Sequence, residues 1–155
     1  MKIDMNECMR RLIEQEGIKL MPYICPMGKL TIGVGRNLDD NPLNFEEKRA
    51  LGDYMHGITE NGAKMLLRND ILRCRDEVKN IFKGFDELNA DRQYALIDMC
   101  FQLGGVGLRK FRIMRKALEN KDFDKACEAC LKSKYAKQTP VRARKIARAI
   151  KLGIW

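Results

Sequence analysis

Apolar residues recur along this chain with two different periods, and the places where the period changes divide it into elements. Met5, Met9, Leu12, Ile13 and Glu16 fall on one face at helical spacing, so a helix over 5–16 is predicted. Asp4 and Glu7 give it a capping-box-like start and Gly17 a stop. From Lys19 the pattern shortens to apolar runs at 20–25 and 30–34 around Pro26, Met27 and Gly28, which predicts a β-hairpin. In its second strand Leu30 and Ile32 alternate with Thr31, so Thr31 faces the other way. Residues 36–42 read as a polar loop and 43–51 as a short helix ended by Gly52.

Helical periodicity then dominates. Thr59 is placed to cap a long helix reaching about residue 80, with Leu67, Ile71, Cys74, Val78 and Ile81 at its spacing. Asn89 caps a helix that is apolar nearly all round from Tyr94 to Leu103, the pattern of a helix at the centre of a core. Gly104, Gly105 and Gly107 break it. Helices near 108–119 and 123–134 follow, the second opened by Asp122; Thr139 and Pro140 then start a final helix that Gly153 ends. The fold class predicted is α+β and mainly helical.

Composition narrows the classes. At 155 residues the chain can bury a core without staples and is short for two independent domains. No apolar run approaches a membrane span, and the charged start MKIDMNECMRR is unlike a signal peptide, so synthesis and retention in the cytosol are expected. Thirty basic against 21 acidic residues leave a formal charge of +9, which favours encounter with a polyanion without saying which. Free thiols are expected for the six cysteines, and Cys127 and Cys130 read as small core residues of a helix rather than a metal site; no metal or cofactor is expected.

The candidate chemistry gathers in EGIKLMPYICPMGKLTIGVG, residues 16–35. Glu16 ends an inward-facing row, where partial desolvation favours the protonated form that a general acid needs; the competing reading is a helix end fraying outward before Gly17. Gly33 and Gly35 leave room for close approach of a ligand or backbone. On the last helix Arg142 shares the inward stripe of Ile146, Ala149 and Ile150, and Glu16 is a candidate acceptor for it. Arg144, Arg148 and Lys151 lie on another, solvated face.

With these residues assembled the chain resembles the phage-type lysozymes, the endolysins of glycoside hydrolase family 24. Glu16, Cys25 and Thr31 match that family's Glu-x8-Asp/Cys-x5-Thr spacing, followed by TIGVGRNLDDNPL, then FQLGGVG at 101–107, SKYAKQTPVRA at 133–143 and the closing GIW. The resemblance implies one lysozyme-like domain in two lobes: a small β-containing lobe over 13–58, a connecting helix over 59–80, and a helical lobe from 1–12 and 81–155, with a glycan-binding cleft between. It implies a monomeric muramidase cutting the β-1,4 bond between N-acetylmuramic acid and N-acetylglucosamine in peptidoglycan, with bacterial lysis as the outcome and a holin-type opening as the route from the host cytoplasm. Glu16 would protonate the leaving oxygen, Cys25 and Thr31 would flank the attacking water or the cationic sugar, Arg142 would support Glu16, and Gly35, Phe101 and Gln102 would line the cleft. The same alignment pairs Arg36 with Asp70.

One departure bears on mechanism. Cys25 stands where many relatives carry aspartate, and glycoside hydrolysis ordinarily uses two carboxyl groups. A thiolate base, a water-positioning group, a covalent nucleophile and an inert hairpin side chain are the open roles. Two other functions compete with a lysozyme: a basic helical nucleic-acid-binding protein, which lacks a DNA-reading motif and leaves the Glu–Cys–Thr spacing without purpose, and an inactive wall-binding homologue.

Overall fold

The computed structural model describes residues 1–155, and its architecture is the mainly helical α+β one that the hydrophobic pattern predicts. The chain resolves into two compact units, Met5–Leu72 on the one hand and Met1–Asp4 with Arg73–Trp155 on the other.

In the first unit, α1 (Met5–Glu16) leads into a three-stranded antiparallel sheet of β1 (Lys19–Ile24), β2 (Leu30–Gly33) and β3 (Arg36–Asn37), ordered β1-β2-β3. Tyr23 lies opposite Thr31 and Ile32 opposite Arg36, with an irregular ladder between Lys19 and Tyr23. The third strand falls in the stretch that reads as a loop, because two polar residues carry no alternation; backbone pairing alone defines it. Next come α2 (Phe45–Leu51), a 3-10 turn at Tyr54–His56, and α3 (Glu60–Ile81), which runs on into the second unit. Asn44 and Glu47 form a reciprocal capping box, so α2 starts at Phe45 and Leu43 is left outside it to pack in the core. That core is Ile32, Leu43, Ile58, Ala63 and Leu66, with Thr59 capping α3 through its hydroxyl, 3.0 Å from the Gly62 amide.

The second unit is built on α4 (Ala90–Arg109), whose Tyr94, Ala95, Leu96, Ile97, Met99 and Cys100 are buried as their unbroken apolar run requires. Its glycines break it less than expected. Gly104 alone leaves helical geometry (φ 71°, ψ 166°), and the chain is helical again through Arg109. The remaining helices are α5 (Arg112–Glu119), α6 (Phe123–Leu131), α7 (Lys134–Gln138) and α8 (Pro140–Leu152). Asp122 caps α6 as predicted, whereas Ser133 ends it early and opens the extra helix α7, accepting from the Ala136 amide at 3.2 Å. Thr139 stands at the start of α8 without capping it, since its hydroxyl donates to the Tyr135 carbonyl. The far end of α8 is held by α4: Arg92 donates to the Ile150 and Lys151 carbonyls at 2.7 and 3.0 Å, and Asn89 to Gly153 at 2.8 Å.

The first unit is tied together by one buried cation. Arg36, 6% exposed, donates from Nε to the Asn41 carbonyl at 2.9 Å, pairs with Glu47 at 2.8 Å, and meets Asp70 of α3 at 3.1 Å. The Arg36–Asp70 pair is thus present as the alignment predicts, and the second carboxylate, Glu47, is an addition. Burial pushes the Glu47 carboxyl up, but hydrogen bonds from Asn69 and Arg36 outweigh this and hold it below its ordinary range. Its ionised form therefore contributes stability above the usual carboxylate pKa, and that contribution is lost as pH falls through the lowered folded value.

Arg36→Met is expected to cost about 3–5 kcal/mol, because it leaves buried carboxylates uncompensated. Urea unfolding would read this loss, and in the wild-type chain the midpoint should fall on acidification with a smaller fall in Glu47→Gln. A wild-type-like midpoint for Arg36→Met would refute the assignment.

Candidate active site

Glu16 does not fray into solvent. Gly17 ends α1 with its amide donating to the Ile13 carbonyl at 2.7 Å, and the Glu16 side chain, half-buried, lies against Gly35. A Cβ placed on Gly35 would sit 3.2 Å from Glu16 Oε2 and 3.4 Å from Cδ, on a backbone with φ 65°. Both the left-handed conformation and the closeness of the carboxyl thus require glycine there. Gly35 immediately precedes the anchored Arg36, so the surface that the carboxyl rests on is fixed by the buried ion pairs.

Cys25 sits where β1 enters the turn. Its amide donates to the Lys29 carbonyl at 2.9 Å and its carbonyl accepts from Gly28 at 2.8 Å, closing residues 25–28 into a tight turn. The Lys29 amide draws the thiol below its usual range; burial opposes this, and the Met27 amide, the Thr31 hydroxyl and the amide of Cys25 itself add smaller contributions to the lowering. Converging amides are a concave anion site, and here the anion they favour is the thiolate. Thr31 is 3% exposed and its hydroxyl also lies 2.9 Å from the Lys29 carbonyl. The first unit therefore brings together Glu16 with Gly35, and Cys25 with Thr31.

Tyr23, paired with Thr31, is a neighbour that sequence reasoning passed over. Burial raises its phenol pKa, and the negative charges of Glu16 and Cys25 raise it further. The available signal was its position two residues before Cys25, on the same side of an extended chain.

Phe101, Gln102 and Arg142 belong to the second unit. Arg142 Nε donates to Asp98 Oδ1 at 2.7 Å, and the Tyr94 hydroxyl donates to the other oxygen of this fully buried acid at 2.9 Å. The inward arginine that the stripe of α8 predicts is thus served by an acid of α4. Asp98, alone among apolar residues from Tyr94 to Leu103, was detectable as a charge needing a cation. Gln102 stands one turn on, half-buried beside half-buried Phe101, and its Oε1 accepts from the Tyr135 hydroxyl at 3.0 Å. Burial foremost, then the charge of Asp98, holds the Tyr135 phenol above its usual range, so it stays a donor.

The other cysteines contrast with Cys25. All six are free; burial raises the Cys127 thiol and pushes Cys130 up to about 12. Cys130 is buried and Cys127 half-buried on α6.

Comparison with known proteins identifies the family to which the chain belongs. The family model described as phage lysozyme matches residues 13–149, a span containing every candidate residue from Glu16 to Arg142. The pre-baseplate central spike protein of Enterobacteria phage T4 is 30% identical over 97% of this chain, which spans only 28% of that protein's length. Two probable T4-type lysozymes of Dictyostelium discoideum are 26% and 28% identical, each match covering 89% of both chains.

Substitutions at the glycine and the thiol give separate readouts. Gly35→Ala should destabilise the fold by ~1 kcal/mol or more through its left-handed backbone, and displace the Glu16 carboxyl; an unchanged melting temperature would contradict the contact. Iodoacetamide at neutral pH should modify Cys25 well ahead of Cys127 and Cys130, as peptide mapping would register.

Proposed function

We propose, from the premise that this chain belongs to the phage lysozyme family, that it is a muramidase hydrolysing the β-1,4 bond between N-acetylmuramic acid and N-acetylglucosamine in peptidoglycan. The observation that carries the reading is a carboxyl group fixed against Gly35 in the same unit as a thiol set among backbone amides.

Glu16 gives its proton to the glycosidic oxygen as the C–O bond breaks. Water attacks the anomeric carbon, held by the Thr31 hydroxyl and the Cys25 thiolate, and its proton passes to the thiolate. The thiolate carries the negative charge that a second carboxylate supplies in two-carboxyl glycosidases, so it also opposes the positive charge developing on the sugar ring. Amides of Lys29 and Met27 make that charge available without a carboxylate. In the second unit Gln102 offers its amide N–H to sugar oxygens and Phe101 an apolar surface for a pyranose face. A net charge of +9 favours encounter with the anionic bacterial envelope. No helix is long and apolar enough to cross a membrane. Lysis of the host after a holin-type opening is the role that fits, with the protein acting as a monomer.

Loss of turbidity of outer-membrane-stripped Gram-negative cells tests the activity, and mass spectrometry of the products tests the bond. Reducing-end N-acetylmuramic acid is expected; an anhydro product would replace hydrolysis with transglycosylation. Glu16→Gln should lower the rate by ~100-fold or more while keeping the fold. Cys25→Asp should retain activity and Cys25→Ala lose most of it. A fully active Cys25→Ala would remove the thiol from the mechanism.

A further inference from the structure

We infer that Glu77 of α3 is a positioning residue for the part of α4 that carries Phe101 and Gln102: its carboxyl group braces the break at Gly104 from both sides, and position 105 is glycine to admit it. This rests on the sugar contacts given above to Phe101 and Gln102.

The chain leaves its helical course inside α4 at one residue. At Gly104 the backbone turns out of the helix (φ 71°, ψ 166°), and the turn that holds Phe101 and Gln102 lies directly before it. A helix interrupted in this way bends where its own ladder no longer resists, so the direction of that turn needs support from a neighbour. The two adjacent glycines serve different ends. Gly104 has open space where a Cβ would stand, and it is the left-handed backbone that asks for glycine. Gly105 is buried and its φ lies outside the left-handed region, yet a Cβ there would overlap Glu77 Oε2 and stand 3.0 Å from Cδ. Space, not conformation, excludes a side chain at 105.

The same carboxyl oxygen reaches the other side of the break. The Cys100 thiol, 1% exposed, donates to Glu77 Oε2 at 3.9 Å. One oxygen of α3 therefore touches α4 both before Gly104 and immediately after it. The carboxylate is itself surrounded by cations from both helices: Arg73, one turn back on α3, meets Oε1 at 3.5 Å, and Arg109 Nη1 lies 3.3 Å from the Cβ position at Gly105. These guanidinium groups favour the orientation in which the carboxylate faces the break. Gln102 is tied on its far side to the Tyr135 hydroxyl at 3.0 Å, a bond that a different bend at Gly104 would pull apart.

Gly105→Ala should evict the carboxyl, because the atoms that collide are the far end of a flexible side chain. Alanine is the better helix former, so the melting temperature should stay at or above that of wild type. Substrate binding should move the other way: on peptidoglycan KM should rise about threefold or more with kcat nearly unchanged. In 15N NMR spectra of the free protein the side-chain amide signals of Gln102 should shift. Glu77→Ala removes the brace from the other helix and should reproduce both effects. The double variant should be no worse than either single one, since both substitutions abolish the same contact. Unmoved Gln102 signals in Gly105→Ala overturn the inference, and so do an unchanged KM, additive changes in the double variant, or a raised KM that comes with a lowered melting temperature. The NMR readout needs no turnover. A wild-type chain that leaves peptidoglycan intact would overturn the proposed function, while the Gln102 signals would still judge the brace.

Discussion

The Arg36 guanidinium is the constraint on which the first unit depends. A buried cation demands acceptors, and it finds them in Glu47 of α2, Asp70 of α3 and the loop carbonyl of Asn41. Elements with little apolar surface to share are thereby fixed to one another. The two-residue strand β3 gains a rigid neighbour, and Gly35, next in the chain, is placed where the Glu16 carboxyl can lie against it. Removing the cation would leave the carboxylates facing each other in a nonpolar setting, so the arrangement is all-or-none rather than gradual.

In the proposed reaction a thiol stands where two-carboxyl glycosidases carry a second carboxylate. An aspartate is ionised at neutral pH in water, whereas a cysteine requires help. The turn at 25–28 supplies it from backbone amides, which cannot be lost to a side-chain substitution. Within the helical unit, Asp98 and Tyr135 do comparable work for Arg142 and Gln102, fixing side chains that would otherwise sample several rotamers.

Long periodic segments were legible in the sequence, and so was the hairpin. Helices α1, α3, α4 and α8 follow their apolar spacing closely because burial of one face decides them. What escaped was set by a hydrogen bond or two. β3 has no hydrophobic pattern; α7 is opened by the Ser133 hydroxyl; α2 begins where Asn44 and Glu47 close a capping box. Among candidate site residues, Glu16, Cys25 and Thr31 were picked out by spacing and resemblance. Asp98 and Tyr23 were missed although each carried a local signal, because the partners that mark them, Arg142 of α8 and Thr31 of β2, lie on other elements.

The second unit is assembled from both ends of the chain, and this bears on the order in which the protein is made. Lys2 is bonded to Gln93 across 91 positions, and Asn89 to Gly153 across 64. Met5–Leu72 is one unbroken segment, so it can collapse as soon as it leaves the ribosome. The helical unit must wait until α8 is synthesised, with Tyr94 lacking its edge-to-face partner Trp155 until then. Late closure of long loops costs entropy before any contact repays it. The nascent chain therefore exposes the apolar faces of α4 longest, until α8 packs against them.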